Sequence, residues 1–239
     1  MKLLKCTFLL CGLLLLHTTA TAHALWIETA GAGKAGQPHQ VKIFYGEFEH
    51  GTLETVSEWY ADVRTFKLWL TDPDGKQQEV EVWAAENHFV ASFTPASEGQ
   101  YRLHVNHLTG EVAGTTVYEF NSSALVMVGN KASVAPEPPI RKDLLLTLPA
   151  GQQPRRNKLV TLQVHNQEQA AKEVRVNVMA PAGWQKQIVT SSQGQATFTP
   201  EWSGNYLLEA QHKEEAEGEI GGKPYKAIYK IATRHLEVK

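Results

Sequence analysis

Residues 93–107 read FTPASEGQYRLHVNH, and residues 198–212 read FTPEWSGNYLLEAQH. Seven positions are identical between the two segments at a constant spacing of 105 residues, with no gap. A self-similar segment at a fixed period indicates a duplicated structural unit. We therefore predict that the chain contains two copies of one module.

The repeated Gly-x-Tyr-x-Leu pattern predicts a β-strand that begins at a glycine. Alternate residues of a strand face the same side, so Tyr101, Leu103 and His107 share the core face while His104 points to solvent. The tyrosine hydroxyl is then placed to hydrogen-bond the preceding connection, as in the corner tyrosine of immunoglobulin-like sandwiches. We expect Tyr206 and His212 to be the equivalents of Tyr101 and His107.

Strand signals dominate the remaining chain. Residues 40–45, 65–70 and 79–83 are short segments rich in β-branched or aromatic residues, and Asp74-Gly75 marks a tight turn. Only residues 52–62 offer a helical candidate, of about one turn. The sequence predicts an all-β protein of two consecutive immunoglobulin-like β-sandwich domains.

A Pro-rich segment separates the two predicted modules. Residues 131–140 include Pro136, Pro138 and Pro139, which remove hydrogen-bond donors and cannot sustain a sheet. This predicts an N-terminal domain at 23–130, a semi-rigid linker at 131–140 and a C-terminal domain at 141–239. We expect a hinge at the prolines, with no strands interleaved between the domains.

The first 22 residues have the pattern of a cleavable bacterial signal peptide. Lys2 and Lys5 precede the apolar run 8–16, and Ala20-Thr21-Ala22 is a small-x-small cleavage site. We expect export to the periplasm and a mature chain that begins at His23. Cleavage after Ala24 is the alternative, and it would remove His23.

Composition excludes several function classes. Both cysteines, Cys6 and Cys11, lie within the predicted signal, so the mature chain has no disulfide. The net charge of −2 becomes about −4 without the two signal lysines, which argues against a nucleic-acid partner. No later apolar run approaches the ~20 residues that span a membrane. Recognisable hydrolase, phosphate-loop and metalloprotease motifs are absent, so we expect a protein that is not an enzyme.

Metal binding is the chemistry that the sequence favours. The α-amine and imidazole of an N-terminal His23 can chelate one ion, and imidazole suits nickel, cobalt, copper and zinc. Further candidate ligands are His107, at the end of its strand, and Glu47 and His50, which lie among glycines on one loop. The alternative for such residues is a histidine hydrogen-bonded at the rim of a sandwich.

Other histidines and acids are predicted to lie at the surface. We place His39, His165 and His235 there. We also expect residues 213–224, which contain four glutamates among glycines, to form an acidic loop between two strands. Such a loop is usually solvated, although it could collect cations loosely or meet a basic partner.

Several segments together resemble a family of exported bacterial proteins described as the periplasmic component of ABC-type cobalt/nickel uptake systems. They are residues 23–28 (HALWIE), 44–48 (FYGEF) with Gly51, 183–184, 194–200 and 204–208. The resemblance covers nearly the whole mature chain. It implies a divalent transition metal, nickel or cobalt, as the ligand and a membrane uptake complex as a further partner. By resemblance His23 is the first site residue, followed by His50 and Glu47.

Three functional hypotheses follow from these observations. The first is a periplasmic accessory that binds nickel or cobalt through His23 for an uptake system. The second is a metal-free pair of sandwich domains that recognises a protein or a glycan. The third is a copper-handling protein that uses the same terminal site. The identity of the mature N-terminus separates the first and third hypotheses from the second.

Overall fold

The computed structural model describes residues 23–129, 143–149, 152–180 and 183–239. The predicted signal peptide and Pro-rich linker lie outside these ranges. Within them most of the regular structure is β, and single-turn 3₁₀ helices occur at Phe48–His50, Val56–Glu58 and Val63–Thr65. The all-β prediction is confirmed, and the turn expected within residues 52–62 is the second of these helices.

The described residues form eighteen strands. In chain order they are β1 (Ala24–Thr29), β2 (Ala32–Gly33), β3 (His39–Glu47), β4 (Thr52–Leu53), β5 (Leu68–Thr71), β6 (Gln77–Val80), β7 (Val82–Ala84), β8 (His88–Phe93), β9 (Gly99–Leu108), β10 (Thr116–Val128), β11 (Leu144–Thr147), β12 (Val160–Asn166), β13 (Gln169–Ala170), β14 (Arg175–Met179), β15 (Gln185–Val189), β16 (Gln195–Phe198), β17 (Gly204–Ile220) and β18 (Lys223–Val238).

These strands form three sheets. The first sheet has the order β1-β3-β8-β7, with β4 paired to β3. The second has the order β15-β14-β17-β18-β10-β9-β5-β6, with β2 paired to β10; we call it the shared sheet. The third comprises β11, β12, β13 and β16.

The shared sheet joins the two halves of the chain. Strand β10 pairs in parallel with β18, and the register runs from Thr116 opposite Ala227 to Ser123 opposite Arg234. Our expectation that strands of the two modules would not interleave is therefore wrong. The physical reason is the length of β18, which reaches past its own sandwich and completes the hydrogen-bonding edge of β10.

Each face of the shared sheet belongs to a different core. Ile231 on β18 packs in the first core with Tyr101 and Leu103. Its neighbour Ala232 packs in the second core with Tyr206. Because successive residues of a strand point to opposite faces, one strand serves both sandwiches, the first closed by the first sheet and the second by the third sheet.

The shared sheet also covers the edge of the first sheet. Thr233 Oγ1 donates a hydrogen bond to the Leu25 carbonyl at 2.7 Å. Ser122 Oγ accepts one from the Ile27 amide at 3.1 Å. Side-chain hydroxyls thus satisfy backbone groups of the edge strand β1, which an exposed edge would leave open to other chains.

Both copies of the repeat form the predicted tyrosine corner. The Tyr101 hydroxyl donates to the Ser97 carbonyl at 3.0 Å and accepts from the Ser97 amide at 3.1 Å. Tyr206 makes the same pair of bonds to Trp202, at 3.1 and 3.2 Å. The preceding Gly99 and Gly204 have φ of 138° and 128°, a region that side chains rarely adopt. The predicted equivalence of the two strands is confirmed.

Two expectations about exposure are wrong, and so is one about secondary structure. His104 is 8% exposed because the face of β9 opposite its own core is also covered. His39 is buried because it shares the inner face of β3 with Val41 and Ile43. The predicted acidic loop is strand: β17 continues to Ile220 and the chain turns only at Gly221 and Gly222.

Candidate metal-binding site

His23 lies immediately before β1, at the rim of the first sandwich. Its Nε2 is 2.9 Å from Oε1 of Glu54, and the two side chains are 35% and 28% exposed. The imidazole stacks on the Tyr45 ring at a centroid distance of 5.4 Å and an interplanar angle of 25°. His23 is therefore held in one orientation while it remains accessible to solvent.

Hydrogen bonds to the backbone of Glu54 and Tyr45 fix the two residues that contact His23. The Glu54 amide donates to the Tyr45 carbonyl at 3.1 Å, and the Trp59 indole donates to the Glu54 carbonyl at 3.1 Å. Gly46 permits this, because its φ is 149° and a Cβ there would clash with the Thr52 carbonyl oxygen. The Phe44–Phe48 segment therefore needs its central glycine to let β4 approach.

Tyr45 provides the ring on which the His23 imidazole stacks. Its ring contacts Trp59 and Phe120, with centroid distances of 5.5 and 5.6 Å. Burial raises the pKa of its hydroxyl, and the nearby Glu54 carboxylate acts in the same direction. Tyr45 is therefore a neutral aromatic platform at physiological pH.

Glu47 and His50 form a second polar pair beside this rim. His50 Nδ1 lies 3.1 Å from Glu47 Oε2 and 3.3 Å from Glu49 Oε1. The β1–β3 ladder ends with Ala24 opposite Gly46, so the next residues outward on the two strands are His23 and Glu47. Directly opposed residues share a face, which directs His23 and Glu47 to the same side of the sheet.

His107 lies apart from this group and has its own partner. Its Nε2 is 3.2 Å from Asp62 Oδ1, which also accepts a hydrogen bond from the Gly110 amide at 3.0 Å. Partial burial acts to raise the pKa of Asp62, but these two hydrogen bonds lower it below its usual value. This is the hydrogen-bonded rim histidine that we weighed as the alternative.

The four sequence-predicted ligands are therefore not brought into one cluster. His23, Glu47 and His50 lie at the same end of the first sheet, whereas His107 is paired elsewhere. Among the residues that the structure describes, no group of three or more His, Cys, Asp or Glu side chains is arranged to hold a metal ion. In the same part of the chain, no helix is long and apolar enough to cross a membrane.

Two contributors, Glu54 and Tyr45, were not among the predicted site residues. Glu54 falls in the segment 52–62, whose sequence indicated a turn or loop and did not predict pairing with any strand. It meets His23 only because the two-residue strand β4 continues the ladder of β3. An acidic residue eight positions after a glycine near the end of a strand is too common a pattern to have identified Glu54 as a partner of His23.

Comparisons with known proteins give no functional identification. No family model matches this chain, and no curated protein sequence matches it. Trypsin-activated alpha-2-macroglobulin from Escherichia coli is similar over 91% of this chain, at TM-score 0.32 and 12% identity. Salmonella alpha-2-macroglobulin reacted with methylamine is similar over 90%, at TM-score 0.31 and 12% identity.

The chain spans 16% and 15% of the length of those two macroglobulin chains. A two-domain fibronectin type III segment from chicken tenascin is also similar. That match covers 86% of this chain and 95% of the segment, at TM-score 0.24 and 9% identity. The case for a function therefore rests on the residues of this chain.

Proposed function

We propose that this protein is an exported, non-catalytic β-sandwich protein that binds a divalent transition metal ion, nickel or cobalt, through His23. In this proposal signal peptidase cuts after Ala22 and the protein acts in the periplasm. It presents its ion to a membrane uptake complex. The observation that carries the proposal is the oriented, solvent-accessible imidazole of His23 between Glu54 and Tyr45.

The chemistry of the rim suits a cation. Cleavage after Ala22 would give His23 an α-amine beside its imidazole, which makes two nitrogen donors within one residue. Nitrogen donors favour nickel, cobalt, copper and zinc over calcium or magnesium. Glu54 and Glu47 add negative charge at the same end of the sheet, and charge of this sign stabilises a bound cation.

Calorimetry on three proteins with verified N-termini tests the proposal. The first begins at His23, the second carries one alanine ahead of His23, and the third begins at Leu25. We expect nickel affinity to fall by at least roughly tenfold in the second and third proteins, because neither has the amine and imidazole in one terminal residue. The thermal stability of the apo proteins should be unchanged between the first two, because the added alanine leaves the contacts of the His23 side chain in place.

Two further measurements complete this test. Both nitrogen donors bind metal only without their protons, so affinity should fall steeply as the pH drops from about 7 to about 5. Nickel or copper should displace cobalt at equilibrium, following the usual order of divalent ions. Equal nickel affinity for all three N-termini would remove His23 from the site.

The second candidate is a metal-free module that recognises a protein or a glycan. Trp184 and Trp202 favour it, since their rings meet edge to face at 5.6 Å and Trp202 is 41% exposed. Exposed aromatic residues are enriched where partners bind. N-terminal mass spectrometry of the exported protein separates the candidates, because a chain that begins at Leu25 retains both tryptophans and loses the chelate.

A further inference from the structure

The contact between His23 and Glu54 assigns different roles to the two ring nitrogens. Nε2 lies 2.9 Å from the Glu54 carboxylate oxygen, a hydrogen-bond distance. A carboxylate accepts hydrogen bonds and does not donate them. The proton of a neutral His23 ring therefore resides on Nε2, and Nδ1 carries the lone pair.

Nδ1 is also the nitrogen that can act together with the α-amine. The amine and Nδ1 of one histidine close a six-membered ring around an ion, whereas Nε2 points away and cannot reach it. Metal-binding histidines commonly donate their second N–H to a carboxylate, which fixes the tautomer and the ring orientation. The Glu54 contact has this geometry.

We propose that Glu54 is a positioning residue that sets the tautomer of His23, so that Nδ1 is the metal-binding nitrogen. This inference rests on the proposed function for its metal-binding part. Glu54 acts through the histidine ring and is not itself a ligand. The α-amine and Nδ1 of His23 would hold the ion, and Glu54 would not contact it.

The surroundings of Glu54 make this role stable. Its peptide is hydrogen-bonded at both ends, by the Tyr45 carbonyl and by the Trp59 indole. The imidazole is held from the other direction by stacking on Tyr45. Replacing the Glu54 side chain would leave these backbone bonds intact, so the effect of the carboxylate can be measured in a folded protein.

Nitrogen NMR of histidine-labelled protein beginning at His23 tests the tautomer without any metal. At a pH where imidazoles are neutral, we expect His23 to show the resonances of a single tautomer with the proton on Nε2. In Glu54→Ala both nitrogens should move toward the averaged values of a solvent-exposed histidine. Glu58→Ala, which removes an exposed acid four residues after Glu54, should leave them unchanged. Averaged values in the unaltered protein would overturn the proposal.

Zinc, which is diamagnetic, then tests the metal-binding part. On zinc addition we expect the Nδ1 resonance of His23 to take the metal-bound shift while Nε2 keeps its proton. Glu54→Ala should weaken zinc binding by about 10- to 100-fold, with a smaller loss in Glu54→Gln, which retains an acceptor oxygen. Glu58→Ala should change it less than about twofold. A metal-bound shift at Nε2, or equal affinities for Glu54→Ala and Glu58→Ala, would overturn the role of Glu54.

These experiments distinguish a failure of the proposed metal function from a failure of the role proposed for Glu54. If the unaltered protein binds neither zinc nor nickel, the proposed metal function fails, while the metal-free spectra still decide whether Glu54 sets the tautomer. If metal binds at His23 with the same affinity in Glu54→Ala, the function stands and the positioning role fails. Thermal denaturation of both variants confirms that each comparison is made on folded protein.

Discussion

Strands β9 and β17 are two copies of one sequence pattern. The two strands match on the face toward their cores and differ on the opposite face. On the core face, Tyr101 and Tyr206 occupy equivalent places and make equivalent corner hydrogen bonds. On the opposite face, the equivalent residues are His104, an imidazole, and Glu209, a carboxylate. Both are nevertheless buried, at 8% and 5% exposure.

This difference separates local from long-range causes. The corner face depends on a glycine, an alternating pattern and a tyrosine within a few residues, so both copies repeat it. The opposite face is buried because the two sandwiches overlap on the shared sheet. Each copy meets different neighbours there, and its residues differ accordingly.

The largest expected effect tests the equivalence of the corner face. Tyr101→Ala and Tyr206→Ala should each lower the free energy of unfolding by about 3 kcal/mol or more, as other large-to-small core substitutions do. Each change removes a buried ring and leaves the corner backbone groups unpaired. Chemical denaturation followed by tryptophan fluorescence measures both. A large loss for one variant and a negligible loss for the other would break the comparison.

The second prediction concerns Glu209, on the face of β17 opposite Tyr206. Burial raises its pKa to about 7, although hydrogen bonds from Gln211 and Asn177 act to lower it. A folded pKa above the unfolded value of ~4.3 means that the folded state binds more protons across this window. The stability that wild type draws from this group is therefore lost as the pH rises from about 4.5 through about 7.

Glu209→Gln should consequently stabilise the protein at pH 8, by up to about 3 kcal/mol for a shift of this size. The gain should shrink toward zero near pH 3, where the wild-type carboxyl is protonated in both states. Glu215→Gln is the matched control, because its side chain is 79% exposed. Denaturation curves at both pH values provide the measurement, and a pH-independent gain would contradict the assigned cause.

A smaller effect is expected where the shared sheet covers β1. Thr233→Val keeps the side-chain shape but removes the donor to the Leu25 carbonyl, which is buried. Leaving that acceptor unpaired should cost about 1 to 3 kcal/mol. Thr197→Val, at an exposed position of β16, should stay within about 0.5 kcal/mol of wild type. Equal results for the two would mean that β1 does not depend on the overlap.

The smallest effect is expected at the end of β9. Asp62→Asn weakens the pair with His107 in the first copy, and we expect a loss below about 1 kcal/mol because Asp62 is 42% exposed. The folded pKa of Asp62 is lowered, so its contribution is present above the unfolded value near ~3.9 and is lost as the pH falls. Denaturation at pH 7 and at pH 3 should show the loss only at pH 7.

Much of the fold was predictable because its causes are local. Alternation, turn residues and the 105-residue repeat sufficed for the strands, the sandwiches and both tyrosine corners. The parallel pairing of β10 with β18 was not predictable from the sequence. It joins segments more than a hundred residues apart, and no pattern in either segment indicates the other as its partner. The wrong expectation for His104 has a similar origin, since the cavity beside it is lined by distant residues that include Leu144 and Ala232.

The sequence indicated His23, Glu47 and His50 at the candidate site but not their contacts, and metal binding by any of them stays a prediction. His23 stood out through the processing pattern, which is a local signal. Its contact with Glu54 depends on the close approach of β4 at Gly46, which a sequence pattern does not specify. His107 was selected by strand position, and Asp62, forty-five residues earlier, decides its role as a hydrogen-bonded rim residue.

The parallel pairing of β10 with β18 has a consequence for the order of folding. The first core contains Ile231 from the last strand, so it stays incomplete until nearly the whole chain is available. Contacts of such high sequence separation slow folding, because the long loop must close before they form. During synthesis from the N-terminus, the edge of β10 therefore stays unpaired until β18 is available. We expect a single cooperative unfolding transition for the two sandwiches, and an aggregation-prone product when synthesis stops before β18.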